Sequence, residues 1–462
     1  MKIILIQPSD AHVDGSLKGG VWHAPPLGIA SLAAFLRHHK HLPKILDLAV
    51  EDKDPKEICE KFEPDYAGFS VTTPLLLEAY RQARLLKDSF PGLKIIFGGP
   101  HPSTNVEDVL RNDFVDFVVF GEGELTLKEL LDSSPLNGIK GLAYKENGKI
   151  KINQPRELIK DLDSLPMPAY DLLSIHKYPA HPLSIRKPNI SIITARGCPF
   201  SCTYCNKSVF GKSFRKINYK NIVDQMELLI LRYGIKEFHI ADDVFTLDKE
   251  RVQDFCREVV KRKLNIKWMT PNGIRAEPLD EETLKLMKRS GCHYLYLGIE
   301  SGSPKILERI KKGIALEQVR QSIFLINKVG IRAGAFFMLG LPDETEADIR
   351  KTIDFAKSLK LDSVKFGIMV PLPGTEIFDE YKNKGFIKNF DYSSYFWHKE
   401  PVFETDLISK KTLFDCYKRA YREFYFRPRY ILRKMLMLGS LSDIRNIVNG
   451  LRVVINNQLA KN

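Results

Sequence analysis

Short apolar runs alternate with stretches of helical period through the first 135 residues. KIILIQ, KILDLA, YAGFSVT, KIIFGG and FVDFVVFG read as strands, each a brief run rich in apolar and β-branched residues. Between them PPLGIASLAAFLRHH, opened by proline, and LLLEAYRQARLLKDSF carry apolar positions at helical spacing. This alternation predicts an α/β fold with a doubly wound, Rossmann-like parallel sheet over residues 1–138. Residues 139–187 change character. IKGLAYKENGKIKINQP reads as a hairpin turning at Asn147-Gly148, and a proline-rich linker follows. Alternation resumes from NISIITARG to KFGIMVPLPGTEIF, and six strand-plus-helix units within 188–390 predict a partial (β/α)6 barrel of the TIM type. From 391 to 462 the pattern is helical and basic.

At 462 residues, with 44% apolar and 27% charged positions, the chain has material for two or three cores. Its first residues, MKIILIQPSD, hold an apolar run too short for a signal peptide, and no run is long enough to span a bilayer. Seven cysteines without an export signal argue for a reducing cytoplasm rather than a disulfide framework. The net charge of +13 is concentrated, with eleven Lys/Arg against three Asp/Glu between Lys410 and Arg452. Two readings fit that segment: a solvated helical face, or a surface for membrane phospholipid or an acidic substrate, since basic and large apolar residues interleave. No zinc-finger spacing or RNA-recognition signature accompanies it, so nucleic acid is not an expected partner.

Cys59, Cys256, Cys292 and Cys416 are scattered and read as small buried hydrophobes. Cys198, Cys202 and Cys205 differ, standing within eight residues in CPFSCTYC after the first strand of the second alternation. Three soft thiolates suit an iron–sulfur cluster or a soft metal. Structural zinc would need a fourth ligand, and neither cysteine nor histidine supplies one nearby. The motif, with the barrel pattern around it, resembles that of the radical S-adenosylmethionine (SAM) superfamily. The resemblance implies that these cysteines hold a [4Fe–4S] cluster and that SAM occupies its open iron. It further implies a 5′-deoxyadenosyl radical that takes hydrogen from an unactivated carbon. By the same resemblance Tyr204 lies against the adenine, Asp242 and Asp243 of HIADDVFT meet the SAM amino group, and Glu300 of YLYLGIESGS holds the ribose hydroxyls.

A doubly wound domain ahead of such a barrel resembles the cobalamin (B12)-binding subclass, and PPLGIASLAAFLR, AGFSVTTP, GGPHPS and VVFGEGE match its segments. Ser70, Thr72, Gly98, Gly99, His101, Gly121 and Glu122 then fall at the strand ends where a cofactor would lie. Ordinary turn chemistry also accounts for any one of these loops. Asp10-x-His12-x-x-Gly15 has the form by which some cobalamin proteins give histidine to cobalt, so His12 is a candidate cobalt ligand, although the subclass commonly lacks it. The resemblance, of class B radical SAM methyltransferase type, implies a cobalamin-dependent carbon methyltransferase. Its partners would be a small-molecule or lipid substrate and an external one-electron donor of flavodoxin or ferredoxin type, with peripheral association at the inner membrane surface through the C-terminal region. The alternative is a cobalamin-associated radical cyclase, C–C coupling or rearrangement enzyme of lipid or tetrapyrrole metabolism, without methyl transfer.

Overall fold

The computed structural model describes residues 1–9, 23–277 and 279–436. In chain order the first sheet comprises β1 (Lys2–Gln7), β2 (Leu42–Asp47), β3 (Tyr66–Ser70), β4 (Lys94–Gly98), β5 (Phe117–Val119), β6 (Leu142–Glu146) and β7 (Lys149–Ile152). Its spatial order is β2-β1-β3-β4-β5-β6-β7, with the first five strands parallel. Ile3 to Ile6 of β1 are all buried, because helices cover both faces of a parallel sheet and leave no polar side to alternate with. Ile3 and Leu5 pack on one face, Ile4 and Ile6 on the other. The order reverses between β1 and β3, which opens a crevice beyond their carboxyl ends.

The hairpin expected in the linker extends this sheet instead. β6 pairs antiparallel with β5, and β7 with β6. Asn147 (φ 50°) and Gly148 (φ 72°) form the turn, both in the left-handed region that a two-residue hairpin loop of this kind requires.

The second sheet contains β8 (Asn189–Ile192), then, beyond a two-stranded ribbon of β9 (Ala195–Arg196) and β10 (Arg215–Lys216), the strands β11 (Glu237–Ile240), β12 (Lys267–Arg275), β13 (Cys292–Glu300), β14 (Arg332–Leu339) and β15 (Ser363–Ile368). These six pair in parallel in the order β15-β14-β13-β12-β11-β8. Each crossover moves one strand in the same direction, so right-handed connections put every helix on one face and the sheet curls around the other. No pairing joins β8 to β15, and the barrel is partial, as the pattern implied. One apolar core runs continuously from Ile3 and Leu5 of the first sheet through Tyr170 and Leu173 to the barrel's helix-facing side chains.

The open edge at β15 is covered by the helix Lys410–Tyr425, whose Leu413, Cys416, Tyr417, Ala420, Tyr421 and Phe424 are buried. Tyr425 Oη donates to Val364 O at 2.6 Å and accepts from Val364 N at 2.9 Å, and Tyr421 Oη donates to Phe366 O at 2.9 Å. Unpaired edge groups are thereby satisfied. The apolar stripe of this basic helix is thus barrel core, while Glu423 pairs with Arg350 and Lys357 and Arg419 pairs with Glu346. Residues 437–462, which include the end of the basic segment, lie outside the described residues.

Candidate functional site

The cysteine loop spans the gap between β9 and β10, beyond the carboxyl end of β8. Gly197 begins it at φ 84°, and a Cβ there would stand 2.3 Å from Ser213 O, so only glycine fits. Thr203 N donates to Ile310 O at 3.2 Å and Thr203 O accepts from Ile377 N at 3.3 Å, tying the loop to the segments after β13 and β15. The Arg275 guanidinium, 3.5 Å over the Phe200 ring, clamps it from β12. Cys198 and Cys202 are half-buried, Cys205 is exposed, and none forms a disulfide. No three His, Cys, Asp or Glu among the described residues are gathered tightly enough to hold a single metal ion. In a cubane each of three thiolates takes a different iron. Three soft thiolates on one loop, with none in a disulfide, are a donor set that fits such a cluster.

Beside the loop stands a group that joins residues 204, 300 and 312. Tyr204 Oη donates to Glu300 Oε1 at 3.2 Å, and Lys312 Nζ donates to Glu300 Oε1 at 2.9 Å and to Tyr204 Oη at 3.1 Å. Burial and the Glu300 carboxylate raise the Tyr204 phenol well above its ordinary value, so it stays neutral. Glu300 ends β13 at φ 72°, a costly conformation for a non-glycine residue, and the pairing register with β14 shifts between Gly298 and Glu300. The strand end is bent where its carboxylate enters the mouth. Lys312 and Arg275 had no local signature in the sequence. Each meets its partner only through the barrel's curvature.

The two aspartates separate. Asp242 is buried, with Oδ1 accepting from Thr194 N at 2.5 Å and Ala195 N at 3.1 Å, and Oδ2 accepting from Thr194 Oγ1. Its carboxylate holds the start of the cysteine loop, so the oxygens expected to meet the SAM amino group are engaged within the protein. Asp243 is exposed and accepts from Gly197 N at 3.1 Å, directly before Cys198.

At the first sheet, Thr72 is exposed and Ser70 half-buried at the end of β3, and Gly121 (φ 78°) has nothing within 4 Å of where a Cβ would be. This open, polar crevice fits a cofactor tail. Gly98 and Gly99 answer to packing instead. A Cβ on Gly99 would meet Val71 N at 2.9 Å, and one on Gly98 would meet Val119 O at 3.3 Å. His101 is buried, its Nδ1 3.1 Å from Thr73 Oγ1 and its Nε2 3.2 Å from Asn105 Nδ2, so both ring nitrogens are engaged. Glu122 is likewise buried. Its carboxylate accepts from Arg196 Nη1 at 2.9 Å, Arg215 Nη1 at 2.8 Å and Ile159 N at 2.8 Å, while Glu124 takes Arg196 Nη2 at 2.7 Å. The side-chain polar atoms of His101 and Glu122, both expected at a cofactor, are thus engaged within the protein. Glu122 locks the first domain to the ribbon that flanks the cysteines, whereas His101 ties the loops after β3 and β4 to each other and lies 5.0 Å from the Tyr392 ring. His12 lies outside the described residues.

The two sheets bring their carboxyl ends together. Ser208 Oγ, three residues past Cys205, donates to Pro100 O at 3.3 Å. Asn206 Nδ2 donates to Pro373 O at 2.9 Å, and a Cβ on Gly374 would stand 2.3 Å from Thr104 Cγ2. The loops after β4, β9 and β15 therefore touch.

The sequence model of the radical SAM superfamily matches residues 192–356, and that of the B12 binding domain matches residues 20–131. The chain is 37% identical to an uncharacterized methyltransferase of Pyrococcus horikoshii, over 94% of each chain. It is 28% identical to the anaerobic magnesium-protoporphyrin IX monomethyl ester cyclase of Rubrivivax gelatinosus, over 93% of this chain and 78% of that one. Among solved structures, the cobalamin-dependent S-adenosylmethionine radical enzyme OxsB, with aqua-cobalamin and S-adenosylmethionine bound, superposes with a TM-score of 0.75 at 18% identity, over 98% of this chain and 70% of that one.

Proposed function

The chain belongs to the radical SAM superfamily and carries a B12 binding domain ahead of its barrel, and from that premise we propose that it is a cobalamin-dependent methyltransferase acting on an unactivated carbon of a small molecule. The observation that carries this reading is the meeting of the loops after β4 and β9, where Ser208 touches Pro100. It sets the cysteine loop beside the crevice of the first domain. When bound, a [4Fe–4S] cluster with SAM supplies a 5′-deoxyadenosyl radical for hydrogen abstraction, and cobalamin supplies the methyl group.

Cys198, Cys202 and Cys205 would hold the cluster, with Asp243 and Gly197 orienting the first of them. Glu300 would receive the ribose hydroxyls, steadied by Lys312, while neutral Tyr204 would lie beside the adenine. Ser70, Thr72 and Gly121 would line the cobalamin crevice. The Trp397 backbone carbonyl accepts from Ile368 N at 2.8 Å, and its exposed ring lies over Gly367.

The reading places the enzyme in the cytoplasm, reduced by a flavodoxin- or ferredoxin-type donor. Among the described residues no helix is long and apolar enough to cross a membrane. Ile431, Leu432, Met435 and Leu436 are exposed beside Arg429 and Arg433, which supports contact with a membrane surface. Flotation with anionic vesicles, lost with salt or on truncation at 426, tests that contact.

Cells with and without the gene, fed methionine bearing a trideuterated methyl, test the main reading. A gene-dependent product carrying the intact labelled methyl is expected. The likeness to the Rubrivivax cyclase supports a second reading, radical cyclisation or coupling, and an unlabelled gene-dependent product would select it.

A further inference from the structure

The barrel lumen holds a cation, Lys365, with no counter-ion among the described residues. Along β15 the side chains alternate, with Val364, Phe366 and Ile368 buried under helices and Ser363, Lys365 and Gly367 half-exposed on the inner face. On β14, Phe336 and Met338 are half-exposed inward between buried Ala335, Phe337 and Leu339. The lumen at this level is therefore accessible, not filled. Lys365 pairs in register with Phe336, and Phe336 with Gly298, whereas Glu300 pairs one rung further toward the mouth. The Lys365 ammonium thus sits one rung beneath the Tyr204–Glu300–Lys312 group.

Its surroundings are aromatic. Nζ lies 5.2 Å from the Tyr296 ring centroid and 5.4 Å from that of Phe336, and these two rings stack at 4.7 Å. Lys365 makes no hydrogen bond or ion pair with any described residue, and no acid offsets its burial. Asp362 pairs with Lys434, and Glu300 with Lys312. Below it, burial and then the Lys365 charge lower the His181 imidazole, and the Glu237 carboxylate beyond it is taken up by His239, His293 and the Ile185 and Arg186 amides. A half-buried cation without a partner is costly, and the rings offset only part of that cost.

We propose that the lumen binds an anionic substrate with a flat or apolar body, its carboxylate or phosphate held by Lys365 and its body laid against Phe336 and Tyr296. This deepens, and rests on, the radical SAM reading above. The arrangement places the carbons next to the anionic group one rung below the site assigned to SAM.

The test uses wild-type, Lys365→Met and Lys365→Arg holoenzymes with the cluster reconstituted and saturating SAM present. Binding of benzoate, phenyl phosphate and neutral benzamide is read by calorimetry. One of the two anions is expected to bind wild type at least about tenfold more tightly than benzamide, and which one identifies the anion. Lys365→Arg should keep that preference and Lys365→Met should abolish it, with a thermal midpoint no lower than wild type. Equal binding of all three probes, no binding, or an unchanged preference in Lys365→Met overturns the proposal. So does a lower midpoint in Lys365→Met, which would make the lysine structural. Reductive cleavage of SAM to 5′-deoxyadenosine by the wild type is scored separately. Its absence would sink the underlying reading, whereas its presence without anion preference sinks only this one.

Discussion

Lys312 and Glu300 are each under a tenth exposed, so removing one charge strands the other. Lys312→Met should therefore cost about 3–5 kcal/mol, read as a lower urea midpoint, and Lys312→Met with Glu300→Gln should recover most of it. His101 gives a pH signature of opposite origin. Burial pushes its imidazole down from 6.5 to about 4, so the unfolded chain takes up a proton that the folded one refuses. The stability it contributes is complete above pH 6.5 and is lost as pH falls toward 4, up to about 3 kcal/mol. His101→Gln should flatten that part of the stability–pH curve, and parallel curves for the two proteins would refute the assignment. Residue chemistry was legible where it was local. CPFSCTYC carries its own spacing, whereas Arg275 over Phe200 and Lys312 on Glu300 join positions that only the fold brings together. Asp242, His101 and Glu122 show the limit of position. Each occupies a strand end, yet neighbours there engage its polar atoms.

The strands and crossovers were readable because each has its own periodicity, and the barrel's sequential order follows from the right-handed rule. The hairpin at Asn147-Gly148 was readable as a hairpin but not as sheet. Its turn is a local matter, while its pairing with β5 is settled by an edge that lies well back in the chain, Val119 facing Leu142 and Phe117 facing Tyr144. The helix Lys410–Tyr425 poses the same problem. Its stripe would look the same facing lipid or β15, and the tyrosine hydroxyls at its end decide for β15. Tyr425→Phe removes both hydrogen bonds to Val364 and should lower stability by about 1–3 kcal/mol. Tyr430→Phe, which loses only the 2.8 Å bond to Asp362 O, should cost less. Equal thermal midpoints for the two variants would mean that solvent, not the helix, satisfies the edge.

A buried charge network joins the two halves beside their shared core, and its part in the coupling between them is measurable. Glu122, Glu124, Arg196 and Arg215 are all under a tenth exposed, and they tie the loop after β5 to the ribbon that carries the cysteine loop. Glu122→Gln removes the charge that Arg196 and Arg215 share while keeping the side chain's shape, so two guanidiniums are left under-compensated. Hydrogen abstraction needs only the barrel and its cluster. Methyl delivery needs the first domain held over the barrel, and small displacements of a reacting group cost large factors in rate. Glu122→Gln should therefore lower the yield of methylated product per 5′-deoxyadenosine formed by about tenfold or more, at unchanged iron content. If both products fall together, the network serves stability alone and does not set the distance between the two domains. If the ratio falls while SAM cleavage persists, the fold aligns two chemistries through four side chains that touch neither.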